Sequence, residues 1–309
     1  MQIPLRPEDL RSCLSHPRII VDTAAGQVEY ADRGPGEPLL AVHGTLGGCD
    51  QGLVATEFFR ANGFRIIAPS RPGYLGTPLS TGSSPAEQAD ALAALLDEIG
   101  ISKIAVFGGS GGGPAAYALA ARHPEKVSRL LQVDSISQAV APVPFARLGA
   151  RDSAIKLQLW FLRHSAAPML KFLFRRFGQM PGARAADLAA SVAADPVRVA
   201  HLEAILLASS GWAGRREGLD NDLVTFRALA PLGLEAITCP TLIMHASGDA
   251  TVPPENARNA HERIPGSELY WMEGSHLSFF LEEGDTAPGY ALEWLRGNSP
   301  AGRVPEPGP

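Results

Sequence analysis

KIAVFGGSGGGPAAYALAARH, running from Lys103 to His123, passes from an apolar strand run through a serine set among glycines into a run with helical periodicity. Gly108 to Gly112 spell G-x-S-x-G, and the context on both sides gives the pattern its weight. A serine held on a sharp strand-to-helix turn needs neighbours with almost no side chain, because strand and helix approach closely there. The helix that follows aims its free N–H groups and the positive end of its dipole at any negative charge developing beside Ser110. A phosphate-binding loop is the competing reading. It lacks the G-K-[ST] ending, and no acidic residue after the next strand is placed for a ribose.

Working outward, PLLAVHG, FRIIAPS, VSRLLQVDS, PTLIMHA and ELYWMEG repeat the short buried-strand pattern, alternating with helical stretches such as SPAEQADALAALLDEIG. Ahead of them RIIVDT and QVEYADRG, separated by AAG, form an antiparallel hairpin. With KIAVFGG this makes eight strand runs and predicts an α/β fold whose mostly parallel sheet is flanked by helices. Ligands in such sheets collect beyond the carboxyl ends of the strands, so chemistry is sought just after each run. Strand signals stop after Ser135 and resume near Pro240, which divides the chain into core residues 1–134, a helical insertion over 135–237, core residues 238–297 and a Pro- and Gly-rich tail, 298–309, expected to be disordered. Inside the insertion, Asp195 before Pro196 marks a helix start. The aromatic run KLQLWFLRHSAAPMLKFLFRRFGQM reads as a pair of helices packing on the core.

At 309 residues, 45% hydrophobic, the chain can bury a large core without disulfides or metals. Its net charge of -5 and the lack of a dense basic run exclude a nucleic-acid partner. Cys13, Cys49 and Cys239 have neither disulfide-framework nor zinc spacing, and a reducing cytoplasm is the compartment this usage fits. The first residues carry no signal-peptide pattern, and no run is long and apolar enough for stable membrane insertion. No histidine has metal-ligand spacing. Neither a metal nor a cofactor is expected, and a homodimer is left open.

These motifs together resemble the α/β-hydrolase superfamily, over most of the chain from Ile19 to Trp294. HGTLGG, His43 to Gly48, follows its strand as the family's oxyanion loop does. APSRPGYLGTP, Ala68 to Pro78, resembles the next signature, with Ser70 where aspartate is more usual. MHASGDATVPP and EGSHLSFF are similar to the segments that carry the family's acid and histidine. The resemblance implies Ser110 as nucleophile, His276 as general base and Asp249 as the acid that orients it, in the chain order of this fold. Asp134, at the end of LLQVDS, is the rival acid. The implied oxyanion hole joins the N–H of Gly111 to that of Thr45, with Leu46 in reserve, while His43 is expected to support the loop backbone.

Serine at the elbow suits acyl transfer and favours hydrolysis of a carboxylic ester or lactone, with a partly apolar small molecule as substrate. The inserted helices are expected to form a cap, with Leu46, Trp160, Phe161, Phe172 and Phe174 supplying apolar wall. A carbon–carbon bond hydrolase of the ring-cleavage type would need a carboxylate-binding cation. Arg215 and Arg216 are candidates, although a solvated basic turn is the simpler reading. An aminopeptidase or amidase would hold an ammonium with Glu203, Glu217, Asp220 or Asp222. A noncatalytic ligand-binding protein on the same fold is the alternative from outside enzymology.

Overall fold

Strands whose side chains are apolar on both faces must lie inside the sheet, and β5 (Ile104–Gly109) and β7 (Thr241–Ala246) are buried along nearly their whole length. The computed structural model describes residues 2–141, 146–177, 182–281 and 286–298. It completes the sheet with β1 (Ile19–Thr23), β2 (Gly26–Arg33), β3 (Glu37–Val42), β4 (Phe64–Pro69), β6 (Val127–Val133) and β8 (Glu268–Met272). The order is β1-β2-β4-β3-β5-β6-β7-β8. Only β2 runs against its neighbours, antiparallel to β1 in the hairpin and to β4 on its other side, whereas the other pairs are parallel. The expected eight-stranded, mostly parallel sheet is thus the observed one.

Alternation along each strand feeds two apolar layers. Leu39, Ala41, Phe107, Leu131 and Met244 face α1 (Pro7–Leu14), α2 (Cys49–Ala61) and α13 (Thr286–Leu295). Leu40, Val42, Val106, Leu130 and Ile243 face α3 (Pro85–Glu98), α4 (Gly113–Arg122) and α11 (Glu255–Arg263). Helix starts follow local chemistry. Ser84 Oγ accepts from Glu87 N while the Glu87 carboxylate accepts from Ser84 N at 2.9 Å, a reciprocal cap for α3. The sequence reading passed over α1, although Pro7 at its first turn and Glu8 and Asp9 just behind it are a start signal.

β6 and β7 are neighbours in the sheet, yet the chain between them holds α5 (Ala146–Gly149), α6 (Asp152–His164), α7 (Ala166–Phe177), α8 (Gly182–Ala194), α9 (Pro196–Ala208) and α10 (Arg216–Thr225). Asp195 caps α9 by accepting from Val197 N and Arg198 N. Leu162, Leu170, Phe174, Ala189, Val192 and Leu202 form a separate small core among α6 to α9. Most of the tail, 299–309, lies outside the described residues. Among the described residues no helix is long and apolar enough to cross a membrane.

Candidate active site

β5 delivers Ser110 to the sheet edge in a left-handed conformation, φ 50°, at the start of a 3-10 turn that runs into α4. That conformation costs a non-glycine residue about 1–2 kcal/mol, so the surroundings must impose it. The two glycines that follow it are sterically required. A Cβ on Gly112 would run into the carbonyls of Val42 and His43, and one on Gly111 would meet the Thr45 side chain. At the end of β7 the loop carries Asp249, and the segment after β8, ahead of α12 (Ser278–Leu281), carries His276.

The structure brings these three side chains together. His276 Nε2 lies 2.9 Å from Ser110 Oγ, and His276 Nδ1 lies 2.6 Å from Asp249 Oδ2. The other Asp249 oxygen accepts from Thr251 N at 2.8 Å and Val252 N at 2.9 Å, which fixes the buried carboxylate. Burial pushes the His276 pKa down, but the charge of Asp249, the hydrogen bond to it and the charge of Asp134 outweigh burial and lift it to about 9. Asp249 is itself buried, which would raise its pKa, yet the His276 charge and hydrogen bond hold it below the usual carboxylate range. Asp134 follows directly on β6 at φ 47° and accepts from Ala246 N at 2.8 Å. It shares the pocket of the imidazole without receiving its short hydrogen bond. Asp134, Asp249 and His276 are the one described cluster with metal-ligand spacing, within 4.8 Å of one another, but Asp249 and Ser110 already occupy both ring nitrogens.

The HGTLGG loop packs against the serine. Thr45 N stands about 3.0 Å from where a Cβ on Gly111 would be, so the two amides adjoin. Leu46, at φ 65°, turns its N–H to the Tyr74 hydroxyl at 3.4 Å. His43 is neutral, its pKa lowered by burial and by Arg71. Its Nδ1 lies 2.7 Å from Gly44 O, and its Nε2 accepts from Arg71 N at 2.8 Å.

Two cavities meet at Ser110, Thr45 and His276. The smaller, about 180 Å³, is walled by Ala55, Phe107, Val133, Ile205, Leu277 and Phe280. The larger, about 370 Å³, is walled by Leu46, Ile136, Val140, Leu219, Leu223 and Phe226, with Gln158, Asp222, Arg227 and Thr251 among its polar members. Leu46 is where the sequence put it. The other four expected wall residues are not: Trp160, Phe161 and Phe172 stand exposed, and Phe174 is buried in the core of the inserted helices. A helical stripe reveals that one face is apolar and says nothing of which neighbour covers it. Arg215 also needs correction. It is a buried residue whose guanidinium bonds Asp50 at 2.7 Å and the Gly47 carbonyl, whereas Arg216 is the exposed one, 3.5 Å from Asp220.

A family model described as alpha/beta hydrolase fold matches residues 37–283. The chain belongs to this family. Among relatives of this α/β hydrolase, the uncharacterised hydrolase YcgS of Bacillus subtilis is 30% identical over 268 residues, covering 84% of this chain and 91% of that one. The 2-hydroxymuconate semialdehyde hydrolase of Pseudomonas putida is 27% identical over 270 residues, 83% of this chain and 89% of its own. A solved alpha/beta hydrolase fold protein from Nakamurella multipartita superposes with a TM-score of 0.83 at 34% identity, over 91% of this chain and 99% of that one.

Within this α/β hydrolase, the serine in place of the usual aspartate at position 70 is offset by a carboxylate from another strand. Ser70 Oγ donates to Glu29 Oε1 at 2.8 Å and accepts from Cys49 N at 3.1 Å. Sequence reasoning also missed Arg71 and Tyr74. Both are fully buried beside the HGTLGG loop, and both bond Asp222, whose role was sought in substrate binding. The signal available was an arginine and a tyrosine inside a motif that follows a strand.

Proposed function

We propose that this hydrolase cleaves carboxylic esters or lactones through an acyl-enzyme on Ser110. The observation that carries the reading is the relay from Ser110 Oγ through His276 to Asp249, 2.9 Å and 2.6 Å long, at the junction of two largely apolar cavities. Ser110 Oγ attacks the carbonyl carbon as its proton passes to His276 Nε2. Asp249 stabilises the imidazolium, and the N–H groups of Thr45 and Gly111 receive the carbonyl oxygen as it becomes negative. Collapse breaks the ester bond, with the proton leaving His276 for the departing alkoxide. Water then attacks the acyl-enzyme by the same sequence and releases the acid, restoring Ser110. The inserted helices act as the cap that excludes solvent, and the three free cysteines fit a reducing cytoplasm.

The amidase reading loses support. Asp222 is the one of its four acids that lines either cavity, and Arg71 already neutralises it. A carbon–carbon bond hydrolase stays as the second reading because Arg227 lines the larger cavity, with no ion-pair partner among the described residues. It could take a substrate carboxylate.

Purified protein should hydrolyse p-nitrophenyl esters of short to medium acyl length and be labelled at Ser110 by a fluorophosphonate. If it cleaves only a ring-fission dienoate, and Arg227→Gln ends that cleavage, the second reading replaces the first. Ile205→Trp should fill the smaller cavity and move the acyl preference toward acetate; an unchanged chain-length profile would show that the acyl group lies elsewhere.

The pH profile has a determined sign. The base must be neutral, so kcat/KM should climb with pH and reach half its plateau near 9, where His276 loses its proton. Folding stability runs the other way. The raised pKa contributes stability in full below about 6.5, the unperturbed value, and that share is lost as pH rises through about 9. A rate that is flat from pH 6 to 10 would remove His276 as the base.

A further inference from the structure

Helix α10 touches the HGTLGG loop at two places. Ahead of its first turn, Arg215 bonds Asp50 and the Gly47 carbonyl, while Leu75 N donates to Gly214 O at 2.6 Å. Toward its end, Asp222 receives four donors from the core. Arg71 Nη1 and Nη2 reach its two oxygens at 2.9 and 2.7 Å, the Tyr74 hydroxyl comes to 2.7 Å, and Thr45 Oγ1 to 3.1 Å. Arg71 and Asp222 are almost wholly buried, so their attraction is little screened. Arg71 also grips the loop backbone, donating from Nε to His43 O at 3.0 Å. The loop between these anchors is strained, because Leu46 sits at φ 65° and has no glycine's freedom. A strained residue persists only where its neighbours over-determine it, and here a large part of that determination comes from outside the sheet.

We propose that Asp222, together with Arg71, is a positioning residue that sets the Thr45 N–H at the distance the tetrahedral oxyanion requires, so that the inserted helices complete the oxyanion hole and do not merely cover it. This rests on the ester-hydrolase reading above. Thr45 is the point of transmission: its hydroxyl is tied to Asp222 and its amide adjoins that of Gly111. If the tether is cut, Thr45 is free to rotate about its backbone, and the second donor moves off the developing charge. The displaced N–H is needed chiefly by the oxyanion of the transition state and less by the ground-state carbonyl, so the loss falls mainly on kcat.

The decisive variant is Thr45→Val. It is close to isosteric and leaves Asp222 with its three other donors, so the fold is retained. On a p-nitrophenyl ester kcat should fall roughly 10- to 100-fold with KM within about twofold, and Thr45→Ser should restore most of the rate. Affinity for an alkyl trifluoromethyl ketone, which forms a hemiketal oxyanion with the serine, should fall by a similar factor. Asp222→Asn should show the same split on whatever fraction folds. Wild-type kcat and ketone affinity in Thr45→Val would overturn the tether, as would an equal rise in KM with no change in kcat. A wild-type protein that neither turns over esters nor reacts with a fluorophosphonate would instead overturn the proposed function itself, which keeps the two failures apart.

Discussion

Ser110→Ala should leave the fold intact and lower ester turnover by roughly 10⁴- to 10⁶-fold. The size of the effect follows from the division of labour. Without the hydroxyl no acyl-enzyme forms, and only the oxyanion donors and binding remain to assist a direct attack by water. Stability should change little, because among the described residues the lost oxygen has one hydrogen-bond partner, His276, which stays paired with Asp249. Ser110→Gly is a sharper companion. It relieves the left-handed backbone at φ 50°, so it should be equally inactive and melt no lower than the alanine variant. Urea denaturation and a p-nitrophenyl ester assay on the same preparations check both. Retained hydrolysis by a correctly folded Ser110→Ala protein would dispose of the mechanism.

Arg71→Met should destabilise the protein by about 3–5 kcal/mol, the usual cost of removing one partner from a buried ion pair. The penalty is not the lost attraction. It is the Asp222 carboxylate left inside the protein with two hydroxyl donors, Tyr74 and Thr45, and no compensating charge. The double variant Arg71→Met with Asp222→Leu should therefore be more stable than Arg71→Met alone, since two apolar side chains replace two desolvated charges. It should still be a poor catalyst, because the tether on Thr45 is gone. Additive losses in the double-mutant cycle would mean that the two residues do not act on each other.

Local rules made much of this architecture legible. Apolar runs gave the central strands, Ser84 with Glu87 and Asp195 with Pro196 marked two helix starts, and the glycines around Ser110 announced a turn that no larger side chain could enter. The relay could be anticipated because Ser110, Asp249 and His276 each follow a strand, and parallel strands deliver their ends to one edge. What escaped was pairing between distant charges. Arg71 and Asp222 are 151 residues apart, and Arg215 and Asp50 are 165 apart. An arginine in a turn looks solvated until the helix that buries it has been placed. Trp160 and Phe161 failed for the opposite reason. Their stripe was real, but the small core among the inserted helices is filled by Leu162, Leu170 and Phe174.

The two opposed ion pairs restrict what can be transplanted at this junction. Because α5 to α10 enter and leave between adjacent strands, exchanging them for the corresponding piece of another protein looks simple on topological grounds. Yet a donor segment would have to present an acid to Arg71 and a base to Asp50 at matching heights, or the host would be left with Arg71 as a stranded buried cation and Asp50 paired only to the more exposed Arg18. Compatibility of a graft is thus decided by two side chains, before any question of what the new segment recognises.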